Sequence, residues 1–250
     1  MGTVLVTGGA GFLGKYVARS LADAGEKVLI TYRRYFSVPR LLADIMESRV
    51  KAVRCDVTDL PQLVRVIRDH GVDSIVHLAH ISNYEGTIYQ MAQTNVMGTI
   101  NVLEAAAIGS VKRVTYMSVG GVKATSGETE SVPIASPASS NAGPAKCGEV
   151  LSLYYGATFG ISVVIVRGGS GSFWGPYDES LIHTLLRNTI EASAMGKPID
   201  LPHVGREDRL SLIYARDMAA GVSLLHLAPK LQHVVYVIPG GIETSWGEMA

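Results

Sequence analysis

The sequence predicts an α/β protein built on a doubly wound parallel sheet. Short apolar runs rich in β-branched residues alternate along the chain with longer stretches whose apolar residues repeat at helical spacing. The short runs contain few polar residues, as expected of strands that are buried on both faces. Parallel strands joined by helices form right-handed crossovers, and these place helices on both sides of the sheet.

Strands and helices follow one another in order through the first two thirds of the chain. The predicted strands are residues 4–7, 28–31, 52–55, 74–77, 111–117 and 162–167. The helices predicted between them are residues 12–24, 39–48, 60–69, 87–108 and 145–160. The alternation then loosens into a glycine-rich loop at 168–176, a helix near 181–195, a strand near 210–214, a helix at 217–227 and a strand at 234–237.

The composition narrows the choice of partners and compartment. Lys and Arg together number 22, and so do Asp and Glu, which leaves no net charge. Nucleic acids and anionic membranes both favour a basic surplus, so we expect neither as a main partner. Cys55 and Cys147 lack metal-ligand spacing, as expected of reduced cytoplasmic thiols, and we expect no metal site. Without a membrane-length apolar run or a signal-peptide pattern, the chain is expected to be cytoplasmic.

A glycine-rich turn at the first strand–helix junction is the strongest functional signal. The first strand leads directly into Gly8, Gly11 and Gly14, and a helix begins at once with Phe12 and Leu13. This spacing allows a tight turn, close approach of a diphosphate to the backbone, and helix N-terminal amides directed at it. At the start of an alternating α/β chain it predicts a dinucleotide cofactor on a Rossmann-like sheet.

The end of the second strand indicates which dinucleotide is bound. An acidic residue about 20 residues beyond the glycines normally binds the ribose 2′-hydroxyl. Here Thr31 is expected at that position, and Arg33 and Arg34 follow. Guanidinium groups pair with a 2′-phosphate that a carboxylate would repel, so the pattern favours NADP, with NAD as the alternative. Asp56, at the end of the third strand, is placed to meet the adenine, although an ordinary turn explains it equally.

Together with further motifs, these residues resemble the extended short-chain dehydrogenase/reductases of the NAD-dependent epimerase/dehydratase family. The resemblance covers essentially the whole chain. It rests on TGGAGFLG (7–14), CDVTD (55–59), HLAH (77–80), TNVMGTINVLEAA (94–106), AKCGEVL (145–151), VVIVR (163–167), WGP (174–176) and RDMAAG (216–221). It implies a reaction on a hydroxyl or carbonyl group of a sugar, nucleotide sugar or natural product: oxidoreduction, epimerisation or dehydration.

The resemblance also implies a catalytic set from which this sequence departs. The set consists of a Ser or Thr after the fifth strand, then a Tyr and a Lys four residues apart on the next helix. The tyrosine is the general acid/base, and the lysine binds the nicotinamide ribose. Lys146 matches, but Ala142 takes the tyrosine position and Val119 the hydroxyl position, with Ser118 one place early. Two of the three groups are therefore replaced.

Three explanations of these replacements stay open. Ala142 is an engineered knockout, or the acid/base has moved elsewhere in the cleft, or the protein is a catalytically silent NADP(H) sensor or scaffold. The Val119 difference weighs against engineering alone, because one deletion would suffice. For the second explanation the candidate is His80 or another nearby group, since histidine exchanges protons near neutral pH.

The remaining expectations concern further contacts, domains and assembly. Further cofactor contacts implied by the resemblance are Val57, Leu78, Ala79, His80, Asn95 and Gly168. The implied substrate contacts are Tyr84, Ser170, Trp174 and Arg209. We expect a dinucleotide-binding domain at 1–167 and a substrate-binding portion at 168–250. The latter is interleaved with the last strands of the sheet and incomplete, because family members are longer. A small-molecule substrate and a homodimer are the expected partners.

Overall fold

The computed structural model describes residues 2–81, 86–119, 142–168, 172–174, 181–198, 205–241 and 243–249. Its strands are β1 (Thr3–Thr7), β2 (Lys27–Tyr32), β3 (Val50–Arg54), β4 (Val72–His77), β5 (Arg113–Val119), β6 (Ser162–Gly168), β7 (Ser172–Trp174), β8 (Arg209–Tyr214), β9 (Val235–Ile238) and β10 (Glu243–Ser245). Within these ranges, seven strands form one sheet in the order β3-β2-β1-β4-β5-β6-β9, and each neighbouring pair is parallel. The predicted doubly wound α/β fold is confirmed.

Helices cover both faces of this sheet. They are α1 (Phe12–Asp23), α2 (Leu60–Asp69), α3 (Ile88–Met91), α4 (Gly98–Ile108), α5 (Ala142–Phe159), α6 (Leu181–Ala194), α7 (Ala215–Leu227) and α8 (Trp246–Met249). A π-helical segment, Ala92–Met97, joins α3 to α4. Successive residues of a strand point to opposite faces. Accordingly, Val4 and Val6 lie in the core cluster with α1 and α7, whereas Leu5 lies in the cluster with α2 and α4. No helix within the described ranges is long and apolar enough to cross a bilayer.

A smaller sheet forms beyond β6, in the order β10-β8-β7. Strand β8 pairs antiparallel with β10 and parallel with β7. The prediction of a loop over 168–176 is therefore wrong at β7. The three residues of β7 form a strand because they pair with β8, a distant partner that the local sequence does not reveal. Strand β9 returns to the large sheet beside β6. The division of the chain at residue 167 stays a prediction.

The helix predicted at 39–48 is wrong. The chain forms only a short 3₁₀ turn, Arg40–Leu42, in which Leu42 is buried. At Glu47 φ is +61°, a left-handed conformation that ends any helix. Three residues later the chain enters β3, so too little chain remains for a helix. The fifth strand also begins later than expected: Val111 N–H donates to the Ala106 carbonyl as α4 ends.

Candidate functional site

A cleft of about 530 Å³ lies at the carboxyl ends of the parallel strands. The strand order reverses between β1 and β4, and doubly wound sheets bind ligands at this point. The predicted site residues that line the cleft are Gly8, Gly11, Phe12, Leu13, Gly14, Arg33, Asp56, Val57, Leu78, Ala79, His80, Asn95, Ser118 and Val119. The structure thus brings most of the predicted cofactor residues together.

The glycine-rich turn forms the floor of the cleft between β1 and α1. Gly8 has φ of +68°, and a Cβ there would come within 2.9 Å of the backbone of Ala79. A Cβ on Gly14 would come within 2.6 Å of the Gly9 Cα, so the helix can approach the turn only if residue 14 is glycine. The N-cap of α1 is Gly11, and no side chain caps this end of the helix. Because Gly11 has no side chain, the N-cap position itself offers no side-chain acceptor to the first-turn amides, as suits the binding of a diphosphate.

Thr31, near the end of β2, has a structural role in the cleft wall. Its side chain is buried, and its Oγ1 accepts a hydrogen bond from Gly8 N–H over 3.0 Å. Thr31 therefore supports the glycine turn and also lines the cleft, and its place at the position of the acidic residue stays a prediction. Arg33 is exposed and lines the cleft, whereas Arg34 is not among the described lining residues. Of the two arginines, only Arg33 thus belongs to the described lining of the cleft, although nothing in the sequence distinguishes them.

Asp56 both forms a turn and lines the cleft. Its Oδ1 accepts hydrogen bonds from the Thr58 N–H (2.9 Å) and the Thr58 hydroxyl (2.8 Å). Its own N–H donates to Gln62 Oε1 over 2.8 Å. The preceding Cys55 is buried in the cleft wall, and burial, with the charges of Asp56 and Asp59, raises the pKa of its thiol to about 12. Cys55 is therefore a neutral thiol at physiological pH.

A buried chain of hydrogen bonds runs beneath the middle of the cleft. The His77 ring lies between two hydroxyls: Nδ1 is 2.6 Å from Thr7 Oγ1, and Nε2 is 3.1 Å from Thr99 Oγ1. Thr99 Oγ1 in turn donates to the Asn95 carbonyl over 2.7 Å. Because the Thr99 hydroxyl hydrogen is donated to that carbonyl, Thr99 Oγ1 can only accept a hydrogen bond from His77. The imidazole hydrogen is therefore assigned to Nε2. Burial lowers the pKa of His77 to about 3, so the ring stays neutral.

The same chain fixes the segment that follows β4, residues 78–81. At its start, the Leu78 and Ala79 amides donate to Thr7 Oγ1 over 3.2 and 3.3 Å. At its end, Asn95 Oδ1 accepts from Ile81 N–H (3.0 Å), and Asn95 Nδ2 donates to the Ile81 carbonyl (2.9 Å). Asn95 belongs to the π-helical segment, a conformation frequent at functional sites. The segment is therefore held at both ends by buried side chains.

The positions of the expected catalytic set form an apolar surface. Val119 packs against Ala142 and Ala145, both of which are buried. Val119 and Ala145 line the cleft, whereas Lys146 is exposed and is not among the described lining residues. Adjacent helix residues differ in direction by about 100°. Lys146 therefore lies one residue along α5 from the described cleft wall, and its role as the residue that holds a ribose stays a prediction.

Ser118, next to Val119, belongs to a buried ionic network. Its Oγ donates to Glu149 Oε1 over 2.6 Å. Arg167 binds the same carboxylate with two hydrogen bonds, Nε to Oε1 (2.8 Å) and Nη2 to Oε2 (2.6 Å). This pairing raises the pKa of Arg167 further above its usual range. Since the Ser118 hydrogen is directed at Glu149, its hydroxyl donates within the protein and not into the cleft.

Other expected site residues lie elsewhere or outside the described residues. Tyr84 and Ser170 fall outside the described ranges, and Trp174 is described only as part of β7. Gly168 ends β6, paired with Val119 and Ile238, and is not among the described residues lining the cleft. Arg209 Nη2 donates to the Glu243 carbonyl over 2.9 Å and likewise does not line it. The cleft therefore accounts for the predicted cofactor contacts better than for the predicted substrate contacts.

The sequence profile of the NAD dependent epimerase/dehydratase family matches residues 4–238 of the chain. The chain belongs to this family. The match spans the glycine turn, the cleft and the seven-stranded sheet.

Family relatives include enzymes that act on sugar nucleotides. The dTDP-glucose 4,6-dehydratase of Streptomyces niveus is 30% identical, over 99% of this chain and 75% of its own length. The UDP-glucose 4-epimerase of Drosophila melanogaster is 30% identical over 53% of this chain and 40% of its own length. The chain thus spans about three quarters of the length of the first of these relatives.

Solved structures show the same fold. The dTDP-glucose 4,6-dehydratase of Streptomyces venezuelae, solved with NAD bound, superposes with a TM-score of 0.77 at 28% identity, over 98% of this chain and 78% of that one. The UDP-glucose 4-epimerase of Thermus thermophilus superposes with a TM-score of 0.76 at 22% identity, over 99% and 80%.

Proposed function

We propose that the protein is a nicotinamide-dinucleotide-dependent enzyme that acts on a nucleotide sugar by epimerisation, dehydration or oxidoreduction. The observation that carries the proposal is the uncapped N-terminus of α1 above the Gly8–Gly14 turn, at the point where the strand order reverses. The relatives that share this fold support both parts: the Streptomyces venezuelae dehydratase is solved with NAD, and the curated relatives are named for dTDP-glucose and UDP-glucose.

The residues present fit a dinucleotide. A Cβ on Gly8 would collide with the Ala79 backbone and one on Gly14 with the Gly9 backbone, so the close packing of turn and helix beneath the cleft requires both glycines. The α1 amides would hold the diphosphate, Asp56 the adenine, and the segment 78–81 the nicotinamide half. Such a cofactor supplies a hydride acceptor or donor when it is bound. The protein's own part is to orient the substrate hydroxyl and to move its proton.

We propose NADP as the preferred form. Arg33 is an exposed cation at the end of β2, where the 2′ position of the adenine ribose would lie. The carboxylate that would repel a 2′-phosphate is absent from the described part of this strand end, which reads Thr31-Tyr32-Arg33. NAD binding by the Streptomyces venezuelae enzyme supports a nicotinamide dinucleotide in general and not this preference.

A second function is favoured by the apolar surface of Val119, Ala142 and Ala145. A cleft with no acid/base at these positions fits a protein that binds NADP(H) as a sensor or scaffold and performs no turnover. General acid/base catalysis typically contributes a factor of about 10²–10⁴, so its loss would leave only slow chemistry.

Two titrations test the proposal and separate the alternatives. NADPH fluorescence is followed as the full chain is added, and NADP⁺ is then used as competitor. We expect saturable binding that NADP⁺ reverses; no binding of NADPH or NADH would refute the function. Next, dTDP-glucose and UDP-glucose are added to the NADP⁺ or NAD⁺ complex. Conversion of either sugar nucleotide, followed by chromatography, or growth of reduced-nicotinamide fluorescence supports the enzyme, and tight binding with neither supports the sensor.

A further inference from the structure

We infer that His80 is a further catalytic residue, whose imidazole accepts and returns the proton of the substrate hydroxyl. The inference rests on the proposed function and adds the group that takes the place of the missing tyrosine.

The backbone at residue 80 is positioned by buried side chains on either side. Thr7 binds the amides of Leu78 and Ala79, and Asn95 binds both backbone groups of Ile81. His80 lies between these anchors, is exposed and lines the cleft. A catalytic group needs such a fixed origin, because small displacements of a reacting group cost large factors in rate.

The strand register places His80 beside the replaced catalytic positions. In the pairing of β4 with β5, His77 is opposite Tyr116. Val119, three residues beyond Tyr116, is the last residue of β5, and His80 lies three residues beyond His77 in the segment that follows β4. Both line the cleft, and Val119 contacts Ala142 and Ala145. His80 and the expected catalytic positions therefore follow neighbouring strands at the same edge of the sheet.

The other titratable groups of the described lining are less suited to carry this proton. His77 has both ring nitrogens hydrogen-bonded in the buried chain. Tyr116 is buried, with its hydroxyl directed at the Ala145 carbonyl, and burial raises the pKa of its phenol above the usual range. The described lining residues of the π-helical segment and α5, Thr94, Asn95 and Ala145, do not titrate.

The remaining titratable lining residues lie at the other end of the cleft, after β2 and β3. They are Tyr32, Arg33, Tyr35, Cys55 and Asp56. Strand β3 is three positions from β4 in the sheet, so Cys55 and Asp56 lie far from the nicotinamide half. Histidine, with an ordinary pKa near 6.5, changes charge where an enzyme at neutral pH needs it.

The proposed oxidation accounts for each bond, the electron pair and the proton. As the alcohol is oxidised, its C–H and O–H bonds break and a C=O bond forms. A bound oxidised nicotinamide would supply the acceptor for the hydride and its electron pair, and the proton binds an imidazole nitrogen of His80. The reverse transfer returns that proton to the oxygen when the carbonyl is reduced.

The test compares His80→Gln with His70→Gln, an exposed histidine at the end of α2 that is not among the described cleft residues. NADPH titration comes first. We expect both variants still to bind NADPH, because the glycine turn, which neither side chain forms, holds the diphosphate. Failure of the unmodified chain to bind would contradict the proposed function itself, independently of His80.

Two readouts then address His80. Single-turnover nicotinamide reduction with dTDP-glucose or UDP-glucose should slow by about 10²–10⁴-fold in His80→Gln, with loss of one limb of the pH profile, and should be unchanged in His70→Gln. Separately, the ¹⁵N ring signal of His80, assigned by its absence from His80→Gln, should change its titration midpoint when dTDP is added to the NADPH complex. A His80→Gln rate within about threefold of the control overturns the inference. The inference is also overturned if the chain binds NADPH but reduces no nicotinamide with either sugar nucleotide, and the titration midpoint of the His80 ring does not change when dTDP is added.

Discussion

At the scale of single residues, the cleft combines buried hydroxyls that bind other parts of the protein with exposed side chains. Thr31 and Ser118, two hydroxyls near the expected cofactor and catalytic positions, bind Gly8 and Glu149 respectively. Arg33 and His80 line the cleft from exposed positions. Buried polar groups are nearly always hydrogen-bonded, so burial identifies the supporting groups.

Arg33 and Arg34 provide a matched pair for testing cofactor choice. Hydrogen bonds to charged groups contribute about 1.5–3 kcal/mol, so Arg33→Ala should weaken NADPH binding by about 10–100-fold. NADH, which lacks the 2′-phosphate, should bind nearly unchanged. Arg34→Ala should shift NADPH affinity by no more than about threefold, as expected of an exposed charge outside the cleft. Fluorescence titration of both dinucleotides measures these values, and equal losses for NADPH and NADH would argue against the assigned role.

At the scale of elements, the ionic network of Ser118, Glu149 and Arg167 joins α5 to β5 and β6. The Glu149 side chain is 7% exposed and that of Arg167 is 20% exposed. A buried charge that loses its partner is strongly destabilising. The network therefore fixes the helix that carries Ala142 and Ala145 against the sheet.

Glu149→Gln should lower the free energy of unfolding by about 3–5 kcal/mol, because it leaves the Arg167 guanidinium without a counter-charge. The matched control is Asp44→Asn, which removes an exposed partner of Arg19 at 2.8 Å and should cost less than about 1 kcal/mol. Urea unfolding followed by circular dichroism measures both. Equal effects of the two substitutions would show that the Glu149 network is not buried.

Much of the fold follows from local sequence, and the departures have physical causes. The first four strands and the glycine turn rest on apolar periodicity and on steric needs that only glycine meets. Strand β7 forms because it pairs with a distant strand. The absence of the helix predicted at 39–48 is linked to the positive φ at Glu47. Neither is visible in a local pattern.

The residues of the cleft could be predicted from the sequence about as well as the fold. The cofactor contacts follow from motifs, whereas the orientation of Lys146 depends on which face of α5 meets the sheet. The buried roles of Thr7 and Thr99 depend on contacts across 70 and 22 residues to His77. Only the spacing of Asn95 and Thr99, one helical turn apart, hinted at a shared polar face.

At the scale of the whole molecule, two buried histidines couple folding to pH. His77 supports the cleft, and His226 of α7 binds Ser74 Oγ (2.9 Å) and Thr115 Oγ1 (2.8 Å) at the sheet. Burial lowers the pKa of His77 to about 3 and that of His226 to about 4, the latter helped by the charge of Arg113. Both rings are neutral in the folded chain and take up protons on unfolding.

Stability should therefore be greatest above the ordinary histidine pKa of about 6.5 and fall as the pH drops towards the folded values. Between pH 6.5 and 5 the two groups together should lower the free energy of unfolding by about 3 kcal/mol. Urea unfolding at several pH values measures the slope. His226→Gln, whose amide can still bond a hydroxyl, should remove about half of it. A free energy independent of pH over this range would mean that neither ring is buried in its neutral form.

The homodimer and the cytoplasmic location stay predictions, whereas the cleft can be tested at atomic detail. A crystal structure of the chain grown with saturating NADPH is the most direct measurement. We expect the diphosphate at the amides of the Gly8–Gly14 turn, the 2′-phosphate at Arg33 and the nicotinamide beside His80. An empty cleft, or NADPH bound away from α1, would contradict the proposed site.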